Sequence, residues 1–347
     1  MKKIAFTGGG SAGHVLPNLA IIDEIVQGGE ADVCYFGSGG IEKNLVAERK
    51  LPYFLFDCPK LIRGKSFAAL KNNCTIFFKL RKAVKKAEEG LRAFQPNLIF
   101  SKGGYVALPV VLAARKLKIP VLTHESDLTP GLTTKLIARK CEKTLTSFPE
   151  TAQRFKNGKF VGAPIRRELL TESKSDARAK WDIPKDKKVL LIFGGGSGSE
   201  AINAAVRRLV PRMQHCFFLH AVGKGNLVES NLKNYHQTEF IKDMGAAYAV
   251  ADLVISRAGA GAAFEIIALK KPAVFIPLEG QTRGDQKQNA RYFQKKGLCR
   301  VLPQKHLDKL QEEIEAALCD HALKDALSAS NVTAGNGNVL REIRTLL

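Results

Sequence analysis

The chain is poor in acid: 33 Asp+Glu face 54 Lys+Arg across 347 residues, leaving a net charge of +21. An excess of that size points to an anionic partner, whether nucleic acid, acidic lipid or a phosphorylated small molecule. Nucleic acid is the weakest of the three. Aromatics make up only 7% of the chain, and neither a recognition helix nor a sheet face with interleaved aromatic and basic residues is legible. Paired cysteine motifs are missing as well. Cys34, Cys58, Cys74, Cys141, Cys216, Cys299 and Cys319 are scattered without a Cys-x-x-Cys, which argues against a zinc site or a disulfide framework and for a reducing compartment. Cys34, between Val33 and Tyr35, reads as a core thiol. No run approaches the ~18 apolar residues of a membrane span. The apolar start Ile4-Ala5-Phe6 behind Met1-Lys2-Lys3 meets glycine too early for a signal peptide. The expectation is a cytoplasmic protein, or one lying on a membrane without crossing it.

What is present is alternation. Short β-branched runs alternate with longer helical ones, the pattern of parallel α/β units. The length exceeds what one hydrophobic core usually serves, so two domains are expected. Residues 3–7 read as a buried strand entering Gly8-Gly9-Gly10-Ser11-Ala12-Gly13. Val15, Leu19, Ile22 and Val26 then fall on one face of a helix that carries Pro17 in its first turn. Further strands are expected at 32–36, 98–101 and 120–124. A second opening of the same kind starts at 188–193, runs into Gly194-Gly195-Gly196-Ser197-Gly198 and continues as a helix from Glu200. Strands at 216–221, 253–256 and 273–277 follow. Gly162 and Pro164 interrupt both periods, which divides the chain into 1–162 and 163–330 with a closing segment 331–347.

Gly8, Gly10 and Gly13 fit Gly-x-Gly-x-x-Gly between a strand and a helix. Glycine lets the backbone approach phosphate, and the helix start supplies N–H donors and partial positive charge. Alone, the pattern also suits a dinucleotide-dependent dehydrogenase. That reading asks for an acid near the end of the second strand to hold a ribose, and Phe36-Gly37-Ser38 offers none. Glycine turns recur at Gly103-Gly104 and Gly194-Gly195-Gly196, so three loops at strand ends suggest one phosphate-binding cleft. His14 directly follows the first loop and is the leading catalytic candidate, because an imidazole with a pKa of about 6.5 suits proton transfer at neutral pH. His124-Glu125 is a second polar pair at a strand end, whereas His215, His220 and His236 have no comparable setting. Glu265 lies one helical turn into another strand-to-helix turn of small residues. It is placed to accept hydrogen bonds from ribose hydroxyls or, equally, to be a solvated helix acid.

Gly8-Gly9-Gly10-Ser11-Ala12-Gly13-His14 with Pro17, Lys102-Gly103-Gly104-Tyr105, His124-Glu125, Gly162-Ala163-Pro164-Ile165-Arg166, Phe240-Ile241-Lys242-Asp243-Met244, the Arg257 to Glu265 turn, and Asp285-Gln286 with Asn289-Ala290 agree in order and spacing with one pattern. Together they resemble the MurG family of glycosyltransferases over essentially the whole chain. The resemblance implies an α/β protein of GT-B type: two Rossmann-like domains with parallel sheets facing across a cleft, and a C-terminal helix returning to the first. It implies an inverting transferase that moves N-acetylglucosamine from UDP-GlcNAc to the C4 hydroxyl of the muramyl sugar of lipid I, making lipid II for peptidoglycan synthesis. The N-terminal domain would serve acceptor and membrane, the C-terminal domain the donor.

By matching position, Ile241 would meet uracil through its backbone and Glu265 the ribose hydroxyls. Arg166, Gly196 and Ser197 would approach the diphosphate and Gln286 the sugar, with Ala260, Gly261, Ala262, Ala263 and Phe264 lining the donor site. Ser11, Ala12, Gly13 and Asp127 would line the donor-sugar and acceptor side. Tyr105 and Glu125 would face the acceptor, and His14 would be the base or position the acceptor. Three places depart from the family's usual pattern. Ser11-Ala12-Gly13 stands where the family carries Thr-Gly-Gly, Gly196 takes the place of a serine with Ser197 beside it, and Asp127 replaces an asparagine. Stabilising the charge of departing UDP would be the main electrostatic task, open to helix N-termini, Arg166 and Ser197. The chain has no Asp-x-Asp, so no obligatory metal cofactor is expected.

Between Lys60 and Lys86 the chain carries nine Lys/Arg and no acid. Phe67, Leu70, Phe77 and Phe78 lie among them, and Leu70, Cys74, Phe77 and Phe78 share a helical face. With Lys79, Arg81 and Lys82 they form a candidate interfacial element, apolar side in lipid and basic side on anionic headgroups; an ordinary packed helix is the plainer reading. Residues 1–163 hold 26 basic and 13 acidic residues, the rest 28 and 20, a bias that suits a first domain docked peripherally on the cytoplasmic face of the cell membrane. The competing readings are a related transferase for another lipid or sugar, a UDP-GlcNAc 2-epimerase, for which a second acid–base set is not found, and a membrane-tethered pseudoenzyme.

Overall fold

The computed structural model describes residues 1–60, 67–171, 173–279 and 284–347, with backbone alone over 67–74. The chain divides into two compact units, 1–164 with 334–347, and 165–333. Among the described residues, unit 1 holds strands β1 (Lys2–Thr7), β2 (Ala31–Gly37), β3 (Tyr53–Leu55), β4 (Leu98–Ser101), β5 (Val121–Glu125), β6 (Lys143–Thr146) and β7 (Gly158–Phe160) in one parallel sheet of order 3-2-1-4-5-6-7. Its helices are α1 (Ala12–Gln27), α2 (Ile41–Ala47), α3 (Phe67–Phe94), α4 (Ala107–Leu117), α5 (Leu132–Ile137) and α6 (Pro149–Ala152). The strand order reverses between β1 and β4, and in open α/β sheets a crevice forms outside the carboxyl ends at such a switch point. Thr7 pairs with Ser101 there, so the loop Gly8–Gly13 and the turn Lys102–Tyr105 leave the sheet side by side.

Unit 2 repeats the plan. Strands β8 (Lys188–Phe193), β9 (Cys216–Ala221), β10 (Tyr235–Thr238), β11 (Leu253–Ser256), β12 (Ala273–Phe275) and β13 (Arg300–Val301) form a parallel sheet of order 10-9-8-11-12-13, with its reversal between β8 and β11. Helices α7 (Lys174–Ala179), α8 (Glu200–Leu209), α9 (Met244–Val250), α10 (Ala260–Ala268), α11 (Asp285–Lys295), α12 (Leu310–Cys319) and α13 (His321–Ala329) surround it. Central strands covered on both faces must be apolar throughout, and Val189, Leu190, Leu191 and Ile192 of β8 are all fully buried.

The last helix, α14 (Asn336–Arg344), belongs to unit 1. Val339, Leu340 and Ile343 join the core with Ile4, Leu19 and Ile25. Glu342 is clamped by Lys143 at 2.7 Å and Lys159 at 2.6 Å. Burial pushes its carboxyl up, but the hydrogen bonds from the two lysines outweigh burial and leave its pKa below the ordinary carboxylate range.

Two local expectations are corrected. Helix α1 begins at Ala12, so Pro17 stands in its second turn rather than its first. Proline has no N–H to give the carbonyl four residues back, and Gly13 at the mouth of the loop receives no bond from position 17. On the same helix Val15, Leu19 and Ile22 are buried, but Val26, in the last turn before the helix ends at Gln27, is 49% exposed. Among the described residues, no helix is long and apolar enough to cross a membrane.

Candidate active site

In unit 1 the first glycine loop is held from several sides. Asn18 Nδ2 donates to Tyr35 Oη at 3.0 Å, and Tyr35 Oη donates to the Gly8 carbonyl at 2.6 Å. Gly10 has φ +83°, and a Cβ there would lie 2.5 Å from Cε1 of Tyr105, so the ring of Tyr105 lies directly against the loop. A Cβ on Gly104 would be 2.4 Å from the Gly9 carbonyl and 3.2 Å from His14 Nδ1. Gly104 is therefore small because loop and imidazole press on it. Ser11 Oγ lies 3.0 Å from His14 Nδ1. Burial pushes the His14 pKa below its ordinary 6.5, with Glu125 opposing and Lys102 adding to the fall. The imidazole is thus neutral at pH 7, the form that can accept a proton.

Behind it lies a buried polar chain that the sequence motifs contained without revealing its role. Lys102 is 2% exposed. Its Nζ lies 2.5 Å from His124 Nδ1 and 2.6 Å from Ser126 Oγ. His124 Nε2 lies 3.0 Å from the Gly162 carbonyl, so that nitrogen carries the proton and Nδ1 accepts from Lys102. Burial drives Lys102 down to about 7 against the pull of Glu125 and Asp127. Burial, with Lys102, drives His124 well below 6.5. Glu125 accepts N–H bonds from Asp127 at 3.1 Å and Gly131 at 2.8 Å. Its carboxylate folds the following loop while acting electrostatically on His14. Unit 1 therefore brings together Ser11, His14, Tyr105, Glu125 and Asp127, with Ala12 and Gly13 opening α1.

One further group was missed. The second strand does end without an acid, but Glu42 at the start of α2 returns to that point. Its Oε2 accepts from Gly10 N–H at 3.1 Å, and its Oε1 accepts from Ser38 N–H at 3.2 Å and Ser38 Oγ at 2.5 Å. The available signal was Glu42 just beyond the Gly39-Gly40 turn. Its carboxylate faces the loop, not outward toward a ribose.

In unit 2 the second glycine loop is open by comparison. Gly196 and Ser197 are exposed, and a Cβ on Gly195 or Gly196 would meet nothing within 4 Å. The loop ends at Ser199, the N-cap of α8, whose Oγ accepts from Ile202 N–H at 3.5 Å and from Arg257 Nη2 at 2.7 Å. Arg257 also donates to the Ile276 carbonyl at 3.0 Å and to Gln304 at 2.7 Å. It ties the ends of β8, β11 and β12 together, a part the sequence did not reveal. Glu265 lies 3.5 Å from Arg166 and accepts from Tyr248 Oη at 3.4 Å. Burial raises its pKa and Arg166 opposes the rise. It is no solvated helix acid. Tyr248 in turn meets the Phe193 ring edge-on at 6.3 Å.

Ala260, Gly261, Ala262 and Ala263 form the first turn of α10 behind the N-cap Gly259, and Phe264 is buried there. Ile241 is buried beside a 260 Å³ cavity also lined by Trp181, Phe240 and Lys242. Gln286 Oε1 accepts from Leu278 N–H at 3.0 Å, which fixes the start of α11. Among the described residues, no three His, Cys, Asp or Glu side chains are grouped to hold a metal ion.

On α3, Ala83, Val84, Ala87 and Leu91 are buried, while Phe77 is 60% and Phe78 69% exposed. Arg81 lies over the Phe77 ring at 5.8 Å, and Lys79 and Lys82 are exposed. The side chains of Phe67 and Leu70 lie outside the described residues.

Comparison with known proteins defines a sugar-transferring enzyme class. The glycosyltransferase family 28 N-terminal domain matches residues 4–146 and its C-terminal domain residues 189–337. The chain is 43% identical over 331 residues (93% of this chain, 89% of the relative) to the UDP-N-acetylglucosamine--N-acetylmuramyl-(pentapeptide) pyrophosphoryl-undecaprenol N-acetylglucosamine transferase of Clostridium perfringens strain SM101. The protein of the same name from Lachnospira eligens is 40% identical, with 89% of this chain and 88% of the relative covered. The crystal structure of Acinetobacter baumannii MurG superposes with a TM-score of 0.73 at 25% identity, over 99% of this chain and 100% of that one. The fold is GT-B, two Rossmann-like domains. The chain belongs to the MurG family of glycosyltransferases.

Proposed function

We propose that this chain transfers N-acetylglucosamine from UDP-GlcNAc to the C4 hydroxyl of the muramyl sugar of lipid I, with inversion, making lipid II. The observation that carries the reading is the near-full-length identity to transferases of that name. The acceptor belongs to unit 1. Its C4 oxygen attacks C1 of the donor sugar, the C1–O bond to the β-phosphate breaks, and the hydroxyl proton passes to the neutral imidazole of His14. Glu125 raises the His14 pKa and so favours the imidazolium once formed, while its own carboxylate is pinned by two N–H groups. Attack from the face opposite the leaving UDP inverts C1. Ser11, Ala12, Gly13, Asp127 and Tyr105 line this side.

The donor belongs to unit 2. Ile241 meets uracil through its backbone, Glu265 takes the ribose hydroxyls, and Gln286 the sugar. Gly196, Ser197 and the start of α8 receive the diphosphate with Arg166. Open glycine amides at a helix start favour accumulating negative charge. The basic residues and exposed Phe77 and Phe78 of α3 favour peripheral docking on an anionic, cytoplasmic membrane leaflet. Mixing protein, UDP-GlcNAc and a lipid I analogue should release UDP, and omitting the analogue should abolish release. Release with another acceptor alone would overturn the assignment.

A further inference from the structure

The first glycine loop already encloses an acidic side chain. Glu42 is 0% exposed, and its two oxygens accept from Gly10 N–H, Ser38 N–H and Ser38 Oγ. The backbone closes tightly around it: a Cβ on Gly9 would lie 2.6 Å from the carboxylate carbon, and one on Gly40 2.8 Å from Oε2. Opposite, the Tyr105 ring presses on Gly10. The loop is therefore clamped between a carboxylate and an aromatic ring immediately before Ser11 and His14. In unit 2, among the described residues, no carboxylate is bonded inside the corresponding loop, and a Cβ on its Gly195 or Gly196 would meet nothing within 4 Å.

We propose that Glu42 is a positioning residue, whose carboxylate occupies the place a phosphate takes in other glycine loops and fixes the backbone that carries Ser11 and His14. The first loop then serves the acceptor hydroxyl through His14. Its Gly10 amide is committed to Glu42 and so is not open to an incoming diphosphate. This inference rests on the reading of His14 as the base.

The test uses the full-length protein with UDP-GlcNAc and a lipid I analogue. Glu42→Gln keeps the shape and loses the charge. It should lower kcat at least ~10-fold while leaving the KM for UDP-GlcNAc within ~2-fold, as misplacement of a catalytic group predicts. Glu42→Ala should be reactivated by acetate, which refills the site, and not by chloride at equal ionic strength. A wild-type kcat in Glu42→Gln overturns the proposal, as does a Glu42→Ala protein of native circular dichroism that ignores acetate. If the wild-type chain transfers nothing to lipid I, the functional reading fails instead. Hydrogen exchange at Gly10 then decides: faster exchange in Glu42→Gln supports the positioning role, and unchanged exchange overturns it.

Discussion

Replacing Lys102 by methionine keeps the side chain's length and removes a charge from the interior. The lysine falls from its ordinary 10.5 to about 7 in the folded chain, chiefly through burial. Between those values the unfolded chain holds a proton that the folded chain has shed. Stability therefore rises with pH across this window, by ~1.4 kcal/mol per pH unit at most and about 5 kcal/mol in total. At 2% exposure solvent screens little of this. Urea unfolding followed by far-UV circular dichroism at about pH 7.5 and about pH 9.5 reads the effect. The wild type should gain ~2.5 kcal/mol relative to Lys102→Met between the two. Cysteines and tyrosines with raised pKa values titrate in both proteins and cancel. A wild-type-minus-variant difference constant to within ~0.5 kcal/mol would refute the buried lysine's depressed pKa. The same substitution removes a charge that lowers His14, so the acidic limb of kcat/KM should move to higher pH.

His14→Ala should lower kcat by at least ~10²-fold, the scale of a lost general base, and in the wild type the acidic limb should have its midpoint below 6.5, where burial places the imidazole. A near-normal rate would remove His14 from the chemistry. Glu265→Gln should weaken UDP-GlcNAc binding ~10-fold in calorimetry, the order of one charge-assisted hydrogen bond, with unfolding little changed. Glu342→Gln should cost about 1–2 kcal/mol, because its lysine partners are partly solvated. That cost should fade as pH falls through the depressed carboxyl value, and it reads out in urea midpoints. Neutralising Lys79, Arg81 and Lys82 should weaken binding to anionic vesicles ~10²-fold, at ~1 kcal/mol for each charge. Equal binding would make α3 an ordinary solvated helix.

The α/β class and both strand–glycine-loop–helix openings were legible because a strand buried on both faces must be continuously apolar, as residues 188–193 are. Strands β6, β7 and β10 were not, since Lys-Thr-Leu-Thr, Gly-Lys-Phe and Tyr-His-Gln-Thr carry polar residues and no such run. His14 stood out from its place behind a glycine loop. Glu42 did not, because a ribose-binding acid closes the second strand and points outward, whereas this one returns through α2. Lys102 sat within a recognised motif, yet nothing in Lys-Gly-Gly-Tyr says that its ammonium is buried against His124. Burial of a polar group depends on chain segments distant in sequence, here residues 102, 124 and 162.

The central claim is an inverting transfer to the muramyl C4 hydroxyl. It is tested most directly by the anomeric configuration and linkage of the product formed from UDP-GlcNAc, whose C1 bond is α, and a lipid I analogue. Proton NMR should show a β-linked N-acetylglucosamine on C4, with the large diaxial coupling of a β-anomeric proton. An α-linked product, attachment at another hydroxyl, or free N-acetylglucosamine alone would contradict the account.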